Sequence, residues 1–395
     1  MSWGDGILIG LAVLAVVPVV VIALESLLAL LPYRSKSSVF EGTRPRCAIL
    51  VPAHNEEGGI ESNIAGLRSQ LQPGDRVIVI ADNCSDATAE RARQAGATAI
   101  ERQDAERRGK GYALAFGIEH LVSDPPEIVV IIDADTRVHP QALEHLVRAA
   151  GSRNSPIQGV FTDAPQARGP REQWSAFALT FKNFVRPFGL YRLRLPCLLA
   201  GSGMAFPWGI LRKAELGSGN IVEDMKLGID LAVAGHPAGY CPEARFESDD
   251  APSLAAAGQR RTRWEHGHVR TITSQGPRLL AAAFYRCSPR LFALALELAV
   301  PPLTLLFLGL FVLLLGAAGW LLLGGSELPL LILTTGASSG VFSILLAWMK
   351  FGRRLLSPKI LCLLPIYVLW KIPIYLKLII APERKWIRTE RNPTA

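Results

Sequence analysis

Two aspartates one residue apart, Asp133 and Asp135, end the run IVVIIDAD (128–135), directly after a string of β-branched residues. Carboxylates at the end of an apolar strand can hold a hard divalent cation, exchange protons with a substrate, or close a turn. Other chemically capable residues sit in comparable places. Asn55 and Glu56 lie in VPAHNEE, Asp82 ends RVIVIAD, and Glu223 with Asp224 opens a stretch that continues apolar at helical spacing. Lys110 stands between two glycines in ERRGKGY, a setting in which an ammonium can approach phosphate oxygens, or simply a solvated basic loop. Gly201 and Ser202 belong to GSGMAF, where backbone can come close to a ligand or turn tightly. Arg263 and Trp264 sit in GQRRTRWEHGHVR, readable as a membrane-surface helix or as a wall for an anionic leaving group and an acceptor. Acids in a helix's first turn are favoured by the macrodipole in any case, so Glu223 and Asp224 also read as capping groups.

The elements that carry these residues follow from periodicity. CAILVPA (47–53), RVIVIAD (76–82), TAIER (98–102) and IVVIIDAD (128–135) read as strands, and 56–71, 86–95 and 110–123 as helices between them. Strands apolar on both faces that alternate with helices predict an α/β, Rossmann-like, mostly parallel sheet with helices on both faces. Ligands of such sheets bind beyond the carboxyl ends of the strands, and three of those ends are polar here. No GxGxxG follows the first strand, which argues against a dinucleotide site, and the Gly-Lys pair lacks the spacing of a Walker A loop.

The apolar residues are unevenly distributed along the 395 positions. Residues 7–31 hold one charge, Glu25, while 298–326 and 328–349 hold none. Each is long enough to cross a bilayer, so transmembrane helices are expected at both ends of the sequence. The first lacks a basic n-region and a small-residue cleavage site, and reads as a retained anchor. Arg34, Lys36, Arg44 and Arg46 follow it, Arg278, Arg286 and Arg290 precede the second, and Lys350, Arg353, Arg354 and Lys359 follow the third. The positive-inside rule then places 33–290 in the cytoplasm of a multi-pass protein of the inner (plasma) membrane. The segment 360–381 contains Lys371, Lys377 and prolines and is followed by a basic tail, so it reads as interfacial or re-entrant, with Trp370, Tyr375 and Trp386 at headgroup level. A fourth span is the alternative. The expected division is 1–33 (anchor), 34–275 (soluble domain with the Arg-Trp helix) and 276–395 (membrane region). The net charge of +8 is concentrated near membrane-flanking positions, which points to anionic lipid and away from nucleic acid. The six cysteines show neither zinc nor disulfide spacing.

In series, VPAHNEE, ADNCSDAT, RGKGYAL, DADT, GSG, VEDMKLG and RRTRWEHG resemble the inverting family-2 glycosyltransferases of GT-A fold, in particular the membrane-bound branch of cellulose and hyaluronan synthases. The resemblance covers roughly 45–275. It implies that Pro52, Asn55, Glu56, Asp82, Lys110, Asp133 and Arg263 bind the nucleotide-sugar donor and that Asp135 ligates a divalent metal, Mg²⁺ or Mn²⁺. It further implies that Asp224 is the catalytic base and that Gly201, Ser202, Glu223 and Trp264 contact the acceptor. Three positions depart from the family pattern. Val222 stands where threonine is usual, Ala200 where the large synthases have cysteine, and Arg260 where the Gln-x-x-Arg-Trp pattern has glutamine.

The activity implied is transfer of a sugar from a nucleoside-diphosphate sugar, UDP foremost, to a lipid-linked or nascent glycan acceptor at the cytoplasmic membrane face. Polysaccharide or cell-envelope glycan synthesis, including exopolysaccharide, is the implied setting, with other assembly proteins as partners. A processive synthase and a non-catalytic scaffold of polysaccharide export are the competing readings. The run of intact acids argues against the scaffold.

Overall fold

The computed structural model describes residues 2–33, 42–163, 169–217, 222–248 and 254–380. These form two compact units, one drawn from 33–164 and 196–267, the other from 1–32, 165–195 and 268–382.

The first unit is built on an eight-stranded sheet. Its strands are β1 (Cys47–Ala53), β2 (Arg76–Asp82), β3 (Thr98–Arg102), β4 (Ile128–Ile131), β5 (Thr136–Val138), β6 (Ile157–Asp163), β7 (Met204–Pro207) and β8 (Gly239–Ser248), in the order β3-β2-β1-β4-β7-β6-β8-β5. The first three match the expected strands to the residue. Alternate residues of β1 enter two separate cores. Ile49 and Val51 pack with Ile60, Ile64 and Leu67 of the helix Ile60–Arg68 and with Leu143, Leu146 and Val147 of Ala142–Arg153. Ala48 and Leu50 pack with Leu114, Ile118 and Leu121 of Lys110–Leu121 and with Leu227 and Leu231 of Glu223–Val233. Helices thus cover both faces, as expected, and a fully buried Ile, Leu or Val there contributes roughly 1.5–3 kcal/mol.

The expectation of a mostly parallel sheet holds in part: β6 and β8 are parallel as well as the first four strands, but two strands are reversed. β3, β2, β1 and β4 are mutually parallel, but β7 runs antiparallel to both β4 and β6, and β5 antiparallel to β8. The strands β1, β2, β3 and β4 are joined by helices, whose crossovers force parallel pairing. β7 enters from a glycine-rich turn instead. A second correction concerns β4, which ends at Ile131, so that Asp133 and Asp135 lie in the turn leading to β5. The Thr136 N–H donates to the Asp133 carbonyl at 3.0 Å to close it.

The second unit contains three helices long and apolar enough to cross a membrane, Trp3–Leu30, Leu303–Leu322 and Leu328–Gly352. The middle one is shorter than the expected 298–326, because Pro301 and Pro302 separate it from a distinct helix, Pro289–Ala299. Gly336 and Gly340 lie against Val16 and Val19, the small-residue contact that lets apolar helices approach closely. Asp5 forms a capping box with Ser2 and also accepts hydrogen bonds from the Trp320 indole at 3.0 Å and the Ser326 N–H at 2.9 Å. Glu25, the one charge of residues 7–31, is buried against the Arg186 guanidinium, with Nε 2.5 Å from Oε2. Arg186 also donates to the Glu297 carbonyl at 3.1 Å. Lys371 is buried in the last helix, Leu364–Ile380, beside the Tyr367 ring. Arg34, Lys36, Trp386 and the basic tail lie outside the described residues.

Candidate active site

Because β1, β2 and β4 are parallel, their carboxyl ends deliver His54-Asn55, Asp82 and Asp133 to a single edge of the sheet. Because β7 is antiparallel to β4, with Met204 opposite Ile131, the turn that precedes β7 arrives at the same edge. This pairing brings Gly201 and Ser202, distant in sequence, beside the two aspartates.

The residues after β1 and β2 form one group. Asn55 adopts a left-handed backbone (φ 55°), and its side chain latches to the next loop, accepting from the Ser85 N–H at 2.8 Å. The Glu56 N–H donates to Thr88 Oγ1 at 2.7 Å, and Pro52 lies within β1 opposite Ile80. Asp82 is 7% exposed, and its Oδ1 accepts from Arg102 Nη1 at 2.6 Å and from Asn83 Nδ2 at 3.0 Å. Arg102 in turn bonds Asp104 and the Arg107 carbonyl and lies over the Tyr112 ring, so Asp82 is held by an anchored cation. That partner was not singled out in the sequence, where Arg102 is simply the charged end of TAIER.

The second group centres on Lys110. Its ammonium pairs with the Asp133 carboxylate and donates to the Gly201 carbonyl at 2.6 Å. Burial alone would lower the Lys110 ammonium, but Asp133, Glu223 and Asp224 outweigh it and hold it above its ordinary value. Ser202 is fully buried; its Oγ accepts from the Asp133 N–H at 3.0 Å and pairs with Thr136 Oγ1 at 2.9 Å. Gly201 and Gly203 both need positive φ (90° and 67°). A β-carbon at Gly201 would sit 3.2 Å from Asp224 Oδ2, and one at Gly203 would overlap the Phe246 ring. Asp224 therefore faces the turn directly.

The charges around this group are dense. Burial and the neighbouring Asp133 raise Asp135 to about 6, against the pull of Arg260 and Lys110. Burial and Asp224 raise Glu223 to about 7, with Lys110 opposing. Arg263 is pushed down by burial despite Glu223, Asp133 and Asp224 nearby, and among the described residues its Nε has no hydrogen-bond partner. Arg260 stacks over the Trp264 ring at 5.0 Å and reaches Asp163 at 3.5 Å, so the position that departs from the family pattern supports the tryptophan. Lys110, Asp133, Asp135, Gly201, Ser202, Glu223, Asp224 and Arg263 thus share one neighbourhood; Asn55, Glu56 and Asp82 belong to the adjoining β1–β2 edge.

Among the described residues no three His, Cys, Asp or Glu side chains are grouped so as to enclose an ion. Mg²⁺ and Mn²⁺ need no such cage, since they take one or two carboxylates and complete their shell with water and substrate phosphate. A carboxylate that burial and a like-charged neighbour hold partly protonated fits that demand, because an incoming dication relieves both costs.

Comparison with known proteins places this geometry. The chain matches the family described as "Glycosyltransferase like family 2" over residues 45–267. It is 23% identical over 237 residues to the probable glycosyltransferase YdaM of Bacillus subtilis, covering 57% of this chain and 55% of that protein. It is 30% identical over 115 residues to the uncharacterized protein MJ1222 of Methanocaldococcus jannaschii, covering 29% of this chain and 46% of the other. The chain thus spans about half the length of the curated relatives it matches. In fold it is similar to a mannosyltransferase of Pyrobaculum calidifontis solved with GDP-mannose and Mn²⁺, at 18% identity and a TM-score of 0.53, over 96% of this chain and 99% of that one. With the family match spanning more than half of its residues and a GT-A-like mixed sheet beneath the site, the chain belongs to the glycosyltransferase like family 2.

Proposed function

We propose that the protein is a membrane-bound, inverting glycosyltransferase that moves a sugar from a nucleoside-diphosphate sugar, UDP in first place, to a lipid-linked or nascent glycan acceptor. The observation that carries this reading is the position of Asp224, beside the Gly201 turn and within the electrostatic reach of Lys110 and Arg263. In the proposed reaction the Asp224 carboxylate takes the proton of an acceptor hydroxyl. The acceptor oxygen bonds to the anomeric carbon from the face opposite the diphosphate, and the bond from that carbon to the diphosphate oxygen breaks, the electron pair leaving with the diphosphate. One base suffices for inversion, because a diphosphate needs charge neutralisation rather than a proton donor.

Lys110 and Arg263 would supply cations to that oxygen, and among the described residues Arg263 Nε has no hydrogen-bond partner. Asn55, Glu56, Asp82 and Pro52 would line the nucleotide pocket; Glu223, Ser202 and Trp264 would border the acceptor. Asp135, with Asp133 beside it, would hold the divalent metal, which supplies Lewis-acid neutralisation of the diphosphate when bound. Three apolar helices of spanning length support a membrane setting, and the basic residues flanking them support a cytoplasmic catalytic face in an inner membrane. Arg260 in place of the family's glutamine, seated on Trp264, favours single transfer in cell-envelope glycan assembly over processive synthesis.

The test is release of nucleoside diphosphate from a panel of nucleotide sugars by purified protein with Mn²⁺, with and without membrane lipid extract. Asp224→Asn should lower turnover by at least about a thousandfold, within the range that loss of an essential base costs, while UDP binding persists. Full activity of that variant would exclude Asp224 as the base.

A further inference from the structure

Gln158 is a polar side chain within β6, 1% exposed, between Ile157 and the Gly159-Val160-Phe161 run. Its amide is fully used. Nε2 donates to the Ser202 carbonyl at 2.9 Å and to the Gly159 carbonyl at 2.8 Å, and Oε1 accepts from the Ala200 N–H at 2.8 Å. The Gly159 N–H adds a bond to the Gly203 carbonyl at 2.8 Å. β6 therefore grips residues on both sides of Gly201, leaving the Gly201 carbonyl to Lys110, the Ser202 hydroxyl to the Asp133 N–H, and the Gly201 α-carbon against Asp224. The two left-handed glycines make this turn costly to hold by its own backbone preferences, since glycine has the most conformational freedom to lose. A buried amide that satisfies three backbone groups supplies the order that the glycines lack.

We infer that Gln158 is a positioning residue for glycosyl transfer: it fixes the Ala200–Ser202 turn, and through that turn sets Lys110 and Asp133 relative to Asp224. The inference rests on the catalytic reading above. Gln158 is buried and bonds backbone groups of the turn and of its own strand, so its effect should fall on the transfer step and leave the β1–β2 edge around Asn55 and Asp82 intact.

Three variants separate this role from packing. Gln158→Met keeps the volume and removes every hydrogen bond. Gln158→Leu does the same with a different shape. Gln158→Glu keeps the shape and, when protonated, retains one donor and one acceptor, whereas its carboxylate would face the Ser202 and Gly159 carbonyls. The expected result for Gln158→Met is a kcat lowered about thirtyfold or more, a larger change than any in the affinity for UDP and Mn²⁺. Amide exchange in a peptide covering 199–204 should accelerate at least tenfold, while one covering 128–132 is unchanged. Gln158→Glu should recover most of its activity, relative to wild type at the same pH, as the pH is lowered, whereas Gln158→Met and Gln158→Leu should show no such recovery. A packing role would let Gln158→Met, which keeps the volume, retain its kcat. The inference is overturned if folded Gln158→Met keeps kcat within twofold, if Gln158→Glu tracks Gln158→Met across the pH range, or if exchange at 199–204 does not change. Exchange needs no turnover, so a wild-type protein inactive on every sugar nucleotide would sink the catalytic reading while the exchange result still judges the turn.

Discussion

Replacing Asp135 with asparagine should make the metal-free protein more stable and the metal-loaded protein less so. Burial and Asp133 raise Asp135 from 3.8 to about 6. At about 1.4 kcal/mol per tenfold change, the difference corresponds to roughly 3 kcal/mol of unfavourable ionisation above that pH. Asp135 is partly exposed, and screening by water reduces this to roughly 1–2 kcal/mol. The sign follows from linkage: a carboxyl raised in the folded state favours folding while protonated, and that advantage is lost as the pH rises through about 6. In EDTA at neutral pH, Asp135→Asn should therefore melt about 3–6 °C above wild type, given the usual scaling for domains of this size. The gap should close below about pH 4, where an ordinary aspartate also protonates. Mn²⁺ at a hundred times its dissociation constant stabilises a folded protein by about 2.7 kcal/mol, and this gain should appear in wild type only. The order of the two melting curves, followed by differential scanning fluorimetry in detergent, then reverses on adding Mn²⁺. A variant that melts below wild type in EDTA, or that gains as much from Mn²⁺, refutes the assignment of Asp135 as a crowded metal ligand.

Other residues give equally direct expectations. Arg102→Met removes the cation that holds Asp82 and should raise the KM for nucleotide sugar about tenfold with little change in kcat, measured by steady-state kinetics; a fall in kcat alone would point away from donor binding. Gly203→Ala needs a left-handed backbone and overlaps Phe246, so it should cost about 2–4 kcal/mol in chemical denaturation. In the second unit, Arg186→Met leaves Glu25 buried without its cation and should cost about 3–5 kcal/mol, whereas the double replacement with Glu25→Gln should recover much of that loss. Thermal aggregation in detergent would read both, and additive losses would show that the two side chains do not act as a pair.

The first half of the sheet was readable because its signals are local. β1, β2 and β3 are short apolar runs bounded by polar residues, and parallel crossovers oblige their carboxyl ends to share an edge. β7 was not readable, because MAFP is four residues long and its direction is decided by a tertiary pairing with β4. The same holds for Gln158 and Arg102. One polar residue in IQGVF and one charge at the end of TAIER look like ordinary strand residues until their partners, forty-odd and twenty positions away, are known. The pair Asp133 and Asp135 was legible as a pair only. Both lie in a turn, where the Asp133 carbonyl closes the chain while its carboxylate pairs with Lys110, so closing a turn does not exhaust what such a residue does. The helix break at Pro301–Pro302 was visible in principle, but hydropathy alone ran across it.

The helix Trp3–Leu30 and its partner Leu328–Ala347 raise a question of timing. Asp5 meets Ser326 across 321 positions, and Glu25 meets Arg186 across 161. At synthesis rates of about 5–20 residues per second, Glu25 waits about 8–32 s for its cation and Asp5 about 16–64 s for its partners. During that interval the first helix carries an uncompensated carboxylate at Glu25 and an open glycine-sized groove along Val16 and Val19. The nascent chain must shelter both before the last helices arrive to close the bundle.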